Sequence, residues 1–83
     1  MIVNIKSQLN ITALNFAINN FVKNNNGKQP NYLIMNKETR DNLIITEYDF
    51  TNVTKTHGHK YIVYCGFPLA ICEKLDFGEV EII

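Results

Sequence analysis

The segment from Pro30 to Leu43, PNYLIMNKETRDNL, constrains the fold more than any other part of the chain. Tyr32–Met35 is a continuous apolar run of strand length, which is typical of a strand buried on both faces. Asn36 follows at once and is a favoured N-cap residue, and Glu38 lies where the helix dipole favours a negative charge. The segment therefore predicts a buried strand that leads directly into a helix of about two turns, extending to Leu43.

The residues before Pro30 predict a longer, amphipathic helix. Ser7 or Asn10 can cap it, since both side chains accept hydrogen bonds from free backbone N–H groups. Apolar residues then recur at steps of three and four and form one stripe. Its members are Ile11, Leu14, Ala17, Ile18, Phe21 and Val22. The run Asn24–Gly27 ends the helix, because Asn and Gly tolerate the left-handed conformation that follows a helix.

The second half of the chain predicts strands. Lys60–Cys65, KYIVYC, is rich in strand-forming residues, and Gly66 at the first turn position allows a type II′ hairpin with the turn at Gly66-Phe67. Leu69–Cys72 is then the returning strand, with a turn at Glu73–Gly78 and a last strand at Glu79–Ile83.

Two further segments are less regular in pattern. Ile2–Lys6 alternates as a short first strand does. Thr46–Gly58 mixes strand-like and turn-like residues, and we expect a long, mobile connection there. The sequence as a whole predicts a single α+β domain over residues 1–83. One long amphipathic helix and one short helix would pack on a mixed or antiparallel sheet of about four to five strands.

Composition and charge limit the function. With 46% hydrophobic and 19% charged residues in 83, the chain is typical of one globular domain. It has no apolar run near transmembrane length and no secretory signal pattern, so we expect a cytoplasmic protein that neither enters a membrane nor is secreted. Residues 1–37 contain four lysines and no acid, whereas residues 38–83 contain four basic and eight acidic residues. Such halves could dock head to tail on other copies, or simply lie beside each other in one monomer.

No residue pattern predicts catalysis, a metal or a cofactor. His57 and His59 would face one side of a strand, but a third ligand is missing and a solvated loop explains them. Cys65 and Cys72 lack CxxC spacing and are expected as free thiols, and Cys65 at the end of an apolar strand would be a poor nucleophile. Glu73 and Asp76 fit a charged surface turn. We therefore expect a protein that is not an enzyme.

Aromatic residues near the predicted loop and hairpin turn are candidate interface anchors, because exposed aromatics often hold partners. The candidate interface residues are Tyr48, Asp49, Phe50, Gly66, Phe67 and Pro68. Nucleic acid is not expected as a partner. The basic first half has only Phe16 and Phe21 as aromatics before Tyr32, which is too few for a stacking platform.

The order of elements resembles the axial domain of tailed-bacteriophage major capsid proteins and of the similar encapsulins. In that family a helix precedes a proline and a strand similar to Leu33–Asn36, and a later G-x-P turn, here Gly66 to Pro68, introduces a closing hairpin. The chain lacks room for the family's peripheral domain, spine helix, extended loop and N-terminal arm. The resemblance therefore implies an isolated capsid-like module.

The resemblance implies a non-enzymatic structural or interaction protein of phage or prophage origin. Such a module would associate with itself as a homo-oligomer or dock on another phage structural protein, through the Thr46–Gly58 loop and the Gly66–Pro68 turn. It would lie in the host cytoplasm or in the virion. The alternative is a small phage regulatory protein that binds a host protein or nucleic acid.

Overall fold

Two helices and a mixed sheet make up the fold. A computed structural model describes residues 1–46, 50–54 and 60–83. The helices are α1 (Ile11–Asn24) and α2 (Lys37–Thr46), with a short 3-10 helix at Lys6–Gln8. The strands are β1 (Ile2–Asn4), β2 (Leu33–Met35), β3 (Phe50–Thr54), β4 (Lys60–Tyr64), β5 (Phe67–Ile71) and β6 (Glu79–Ile82). The predicted α+β class, with one long and one shorter helix packed on a mixed sheet, is confirmed.

The described strands form one sheet in the order β1-β6-β2-β5-β4-β3. The central strand β2 is parallel to β5 and antiparallel to β6. All other neighbours are antiparallel, so the sheet is mixed. β1 lies at one edge, next to β6, and the β3–β4–β5 meander forms the other side.

One face of the sheet packs on both helices. Strand side chains alternate between faces, and the buried ones share a single face by register. They join the buried residues of α1 and α2 in one apolar cluster. The buried members are Ile5, Leu14, Ala17, Ile18, Leu33, Met35, Leu43, Tyr64, Val80 and Ile82. Burying a side chain such as Leu33 completely contributes about 1.5–3 kcal/mol to stability.

Helix α1 forms as the apolar stripe predicts. Asn10, rather than Ser7, is the N-cap, and its Oδ1 accepts a hydrogen bond of 3.0 Å from the Ala13 N–H. The stripe supplies Leu14, Ala17 and Ile18 to the core. Ser7 lies instead in the 3-10 helix, which follows β1 directly and shortens the predicted first strand.

Helix α2 starts where Asn36 predicts. Asn36 Oδ1 accepts from the Thr39 N–H at 2.7 Å, and its Nδ2 donates to the Leu75 carbonyl at 3.1 Å. The helix continues to Thr46, one turn beyond the predicted end at Leu43. Thr46 therefore belongs to a helix and not to the predicted connection.

The prediction of a long connection over Thr46–Gly58 is wrong in part. Phe50–Thr54 forms β3 and pairs with β4 over five residue pairs, from Phe50↔Tyr64 to Thr54↔Lys60. The turn-forming character of Thr51 and Asn52 suggested a loop, but β-branched Thr and Val suit a strand once a partner strand is available. This strand raises the count to six. Residues 47–49 and 55–59 lie outside the described part of the chain.

The hairpin between β4 and β5 turns one residue earlier than predicted. Tyr64 pairs with Phe67 and Val63 with Pro68, so Cys65-Gly66 is the two-residue turn. Both turn residues have positive φ, 48° at Cys65 and 88° at Gly66, which is the type I′ pattern and not type II′. The glycine tolerates positive φ at either turn position, so the sequence did not distinguish the two registers.

The basic and acidic halves of the chain interleave in the sheet. β1 and β2 come from residues 1–37, and β6, from the acidic half, lies between them. The two halves thus lie beside each other in one monomer and do not form separate lobes of opposite charge. This arrangement does not favour head-to-tail docking of charged halves.

Candidate functional site

The sheet face opposite the helices is a candidate binding surface, which we call the open face. The register places Ile2 beside Glu81, Glu81 beside Ile34, and Ile34 beside Ala70 in one row across four strands. Ile2 is 54% exposed, and the other three are half-buried. None of the described helices covers this row. It combines three apolar side chains with one carboxylate on a face that the described helices leave uncovered.

A cleft of about 430 Å³ opens on the other side of β1, beneath one flank of α1. Its lining combines five apolar residues with five polar, uncharged ones. The lining residues are Val3, Asn4, Ile5, Ser7, Gln8, Thr12, Ala13, Phe16, Ala17 and Asn20. The opposite flank of α1 faces the β-meander, because the Tyr64 hydroxyl hydrogen-bonds to Asn15 Oδ1 there. The cleft therefore lies at the β1 edge of the sheet.

Phe16 is the most exposed large apolar side chain in the described part, at 69%. It lies on α1 but outside the stripe that packs on the core. The apolar stripe predicts the buried face of α1 and leaves Phe16 out, as one of only two aromatic residues before Tyr32. An aromatic residue on the polar side of an amphipathic helix is the sequence feature that could have identified Phe16 as a candidate surface residue.

The predicted interface residues do not form one patch within the described residues. Tyr48 and Asp49 lie outside them, and only the backbone of Phe50 is described, in β3. Gly66 is exposed at the hairpin turn. Phe67 is half-buried against the apolar core, whereas Pro68, on the next position of β5, belongs to the opposite face. The assignment of these six residues to an interface remains a prediction.

A polar network joins the start of α2 to the turn before β6. Thr39 is fully buried, and its Oγ1 accepts from the Gly78 N–H at 2.9 Å. Lys37 N–H donates to Glu73 Oε1 at 3.1 Å, so the Glu73 carboxylate lies at the positive end of the helix dipole. Every buried side-chain polar atom in the described residues has a hydrogen-bond partner. This network stabilises the fold.

Cys65, Cys72 and Asp76 lie in turns and loops next to the strands. Cys65 is an exposed free thiol in the hairpin turn, contrary to the expected position in an apolar strand, and Cys72 is a half-buried free thiol. Asp76 contributes its backbone N–H to Glu79 Oε1 at 2.7 Å, which is a local turn contact. His57 and His59 lie outside the described residues.

The described residues contain no group of three or more His, Cys, Asp or Glu side chains placed to hold a metal ion. Neither α1 nor α2 has the length and apolarity that crossing a membrane requires.

Comparison of the chain with protein-family models, curated proteins and solved structures finds no match. The resemblance to capsid axial domains therefore stays a prediction that rests on the motifs quoted above.

Proposed function

We propose that the chain is a non-enzymatic structural or interaction protein that acts by self-association or by docking on another protein. The open face carries this proposal. Ile34 and Ala70 are neighbours on β2 and β5, and Ile2 of β1 lies in the same row on the far side of Glu81. Ile2 is exposed and Ile34 and Ala70 are half-buried. Apolar side chains grouped on one uncovered face mark interaction sites more often than apolar residues scattered singly do.

The small size of the domain supports the same proposal. A chain of 83 residues buries only roughly 60% of its unfolded surface, so each apolar side chain kept outside the core is a substantial loss of stability. A partner on the open face would recover part of that loss. A phage or prophage structural protein is the partner class that the capsid resemblance implies, and the host cytoplasm or the virion is the corresponding location.

Nucleic acid is the less favoured partner. Glu79 and Glu81 both lie on the open face, beside Asn4 and Ile2, and their carboxylates repel phosphate. Among the described residues, the cleft lining contains no lysine or arginine. A small regulatory protein that binds a host protein remains the alternative, and it would use the same face.

Capture from lysates of phage-infected cells tests the docking part of the proposal. The immobilised chain should retain a defined structural protein, and Ile34→Lys should abolish retention because it places a charge in the middle of the open face. Asn19→Lys, an exposed position of α1, is the matched control and should leave retention unchanged. Equal retention by Ile34→Lys would contradict the use of this face.

Light scattering coupled to size exclusion tests the self-association part. The measured mass should rise with concentration between about 10 µM and about 1 mM, the range for weak interfaces. A strict monomer throughout, together with no capture that depends on Ile34, would refute the proposed function.

A further inference from the structure

The free edge of β1 exposes backbone hydrogen-bonding groups that no described residue satisfies. The Ile82 N–H donates to the Met1 carbonyl at 2.8 Å, and the Met1 ammonium donates to the Ile82 carbonyl at 3.1 Å. The Ile5 N–H donates to the Gly78 carbonyl at 2.8 Å. Alternation along an antiparallel pair then turns the N–H and C=O of Ile2 and Asn4 away from β6. An open edge of this kind is a template for another strand.

We propose that the β1 edge and the cleft beside it form a two-fold interface with a second copy of this chain. This inference rests on the proposed function and names the surface for its self-association part. Two β1 strands would pair antiparallel with Val3 opposite Val3 of the other copy. Ile2 of one copy then faces Asn4 of the other, and each such pair exchanges two hydrogen bonds. This register satisfies every outward-facing backbone group of both strands, which is what makes the edge self-complementary.

The two-fold arrangement also accounts for the exposure of Phe16. When two strands pair antiparallel in one continuous sheet, the symmetry axis runs perpendicular to the sheet, so both helix layers lie on the same side of it. Each cleft lies at the β1 edge, and the two clefts would therefore meet across the axis. Phe16, 69% exposed at the cleft in the single chain, would be covered by the cleft and Phe16 of the second copy.

The charge distribution favours a copy of the same chain over a charged peptide. A two-fold axis brings each residue close to its own equivalent, so a self-pairing surface must avoid charged side chains. Residues 1–37 contain four lysines, yet none of the ten cleft-lining residues is ionisable, and neither is any side chain of Ile2–Ile5. Lys6 lies just beyond this uncharged strip and is exposed. The Met1 ammonium, which donates to the Ile82 carbonyl, lies two residues from the axis at Val3. The side chains at the axis itself thus meet the symmetry requirement.

The interface is small, and we expect a weak, reversible dimer. Three-residue strands and one cleft per copy place it at the low end of protein interfaces, where association is transient. Salt should not weaken it, because the side chains in contact carry no charge. Docking of oppositely charged halves would instead weaken between about 0.05 and about 0.5 M salt. Loss of the dimer at high salt would overturn this interface.

Two variants with opposite charges at position 16 provide the decisive test. Their dimerisation is measured by sedimentation or light scattering at protein concentrations up to about 1 mM. Phe16→Glu and Phe16→Lys should each weaken the dimer by about tenfold or more, since each places like charges at the axis. An equimolar mixture of the two should restore association as a heterodimer. Tyr32→Glu, an exposed aromatic outside the cleft, is the matched control and should behave as the unmodified chain. Circular dichroism should show that each variant is folded.

A backbone N-methyl group on Ile2, introduced by chemical synthesis, supplies a second, independent variant. It blocks an N–H that faces outward and keeps both the Ile2 side chain on the open face and the hydrogen bonds between β1 and β6, so the dimer should weaken while the fold persists. If the chain dimerises and neither Phe16→Glu nor Phe16→Lys weakens the dimer, this interface is wrong and self-association uses another surface. A strict wild-type monomer would also overturn it, while capture that depends on Ile34 would preserve the proposed docking function.

Discussion

Replacement of Gly78 by alanine should destabilise the protein more than any other glycine replacement described here. Gly78 has a φ of 88°, and a Cβ placed on it would lie 2.6 Å from Lys6 Cβ and 2.8 Å from Lys6 Cα. Carbon atoms in contact prefer about 3.5–4.0 Å. Lys6 cannot move away easily, because the preceding residue Ile5 is bonded to the Gly78 carbonyl and the Lys6 N–H donates to Asn4 Oδ1, both at 2.8 Å.

The expected loss in the free energy of unfolding of Gly78→Ala has two parts. Forcing an alanine into the left-handed region costs about 1–2 kcal/mol. Overpacking against Lys6 adds about 1–3 kcal/mol. Gly66→Ala is the matched control, since Gly66 has the same φ of 88° but no atom within 4 Å of the added Cβ. Gly66→Ala should therefore show only the first part.

Thermal and urea unfolding of the two variants measure this difference. For a domain of this size, each kcal/mol lowers the Tm by about 4–8 °C, so Gly78→Ala should melt well below Gly66→Ala. Equal losses for the two variants would refute the clash with Lys6 and the close approach of the 3-10 helix to the turn before β6.

Three other outcomes check different parts of the structure. Asn36→Ala should lower the free energy of unfolding by about 2 kcal/mol, because it removes both a helix cap and the hydrogen bond to the Leu75 carbonyl. Asn10→Ala removes a cap alone and should lower it by about 1 kcal/mol. Equal losses in chemical unfolding would speak against the Leu75 contact. Tyr64→Phe should cost about 1 kcal/mol, since it deletes the hydroxyl bond to Asn15, and an unchanged midpoint would count against that bond. In the folded protein Cys65 should react with a thiol reagent faster than Cys72, as followed by mass spectrometry, and the reverse order would contradict the turn at Cys65-Gly66.

The sequence predicts the fold best where local signals agree. Asn36 sits between an apolar strand and a helix with an acidic first turn, and it caps α2 as expected. The α1 stripe likewise identifies the buried face. Local signals failed at β3, whose pairing with β4 is a tertiary contact that no short motif encodes. They also left the hairpin register open, because Gly66 suits either turn position.

The candidate surfaces were harder to predict than the fold. The open face depends on the strand order, since Ile2, Glu81, Ile34 and Ala70 become neighbours only when β6 lies between β1 and β2. The cleft depends on the side of the sheet over which α1 passes. Phe16 could have been noticed from its position in the helix, but its neighbours at the β1 edge could not.

The position of β6 has a consequence for how the chain folds during synthesis. Residues 79–82 lie between two strands made from residues 2–4 and 33–35, so the sheet stays split until the ribosome has released nearly the whole described chain. The pairing of Ile2 with Glu81 is a contact of very long sequence separation, which slows folding because a large loop must close first. We therefore expect the sheet to be completed only after residue 82 has left the exit tunnel. A nascent chain stalled before β6 would leave Val3 and Leu33 without the strand that pairs with both, and would expose them to chaperones and proteases.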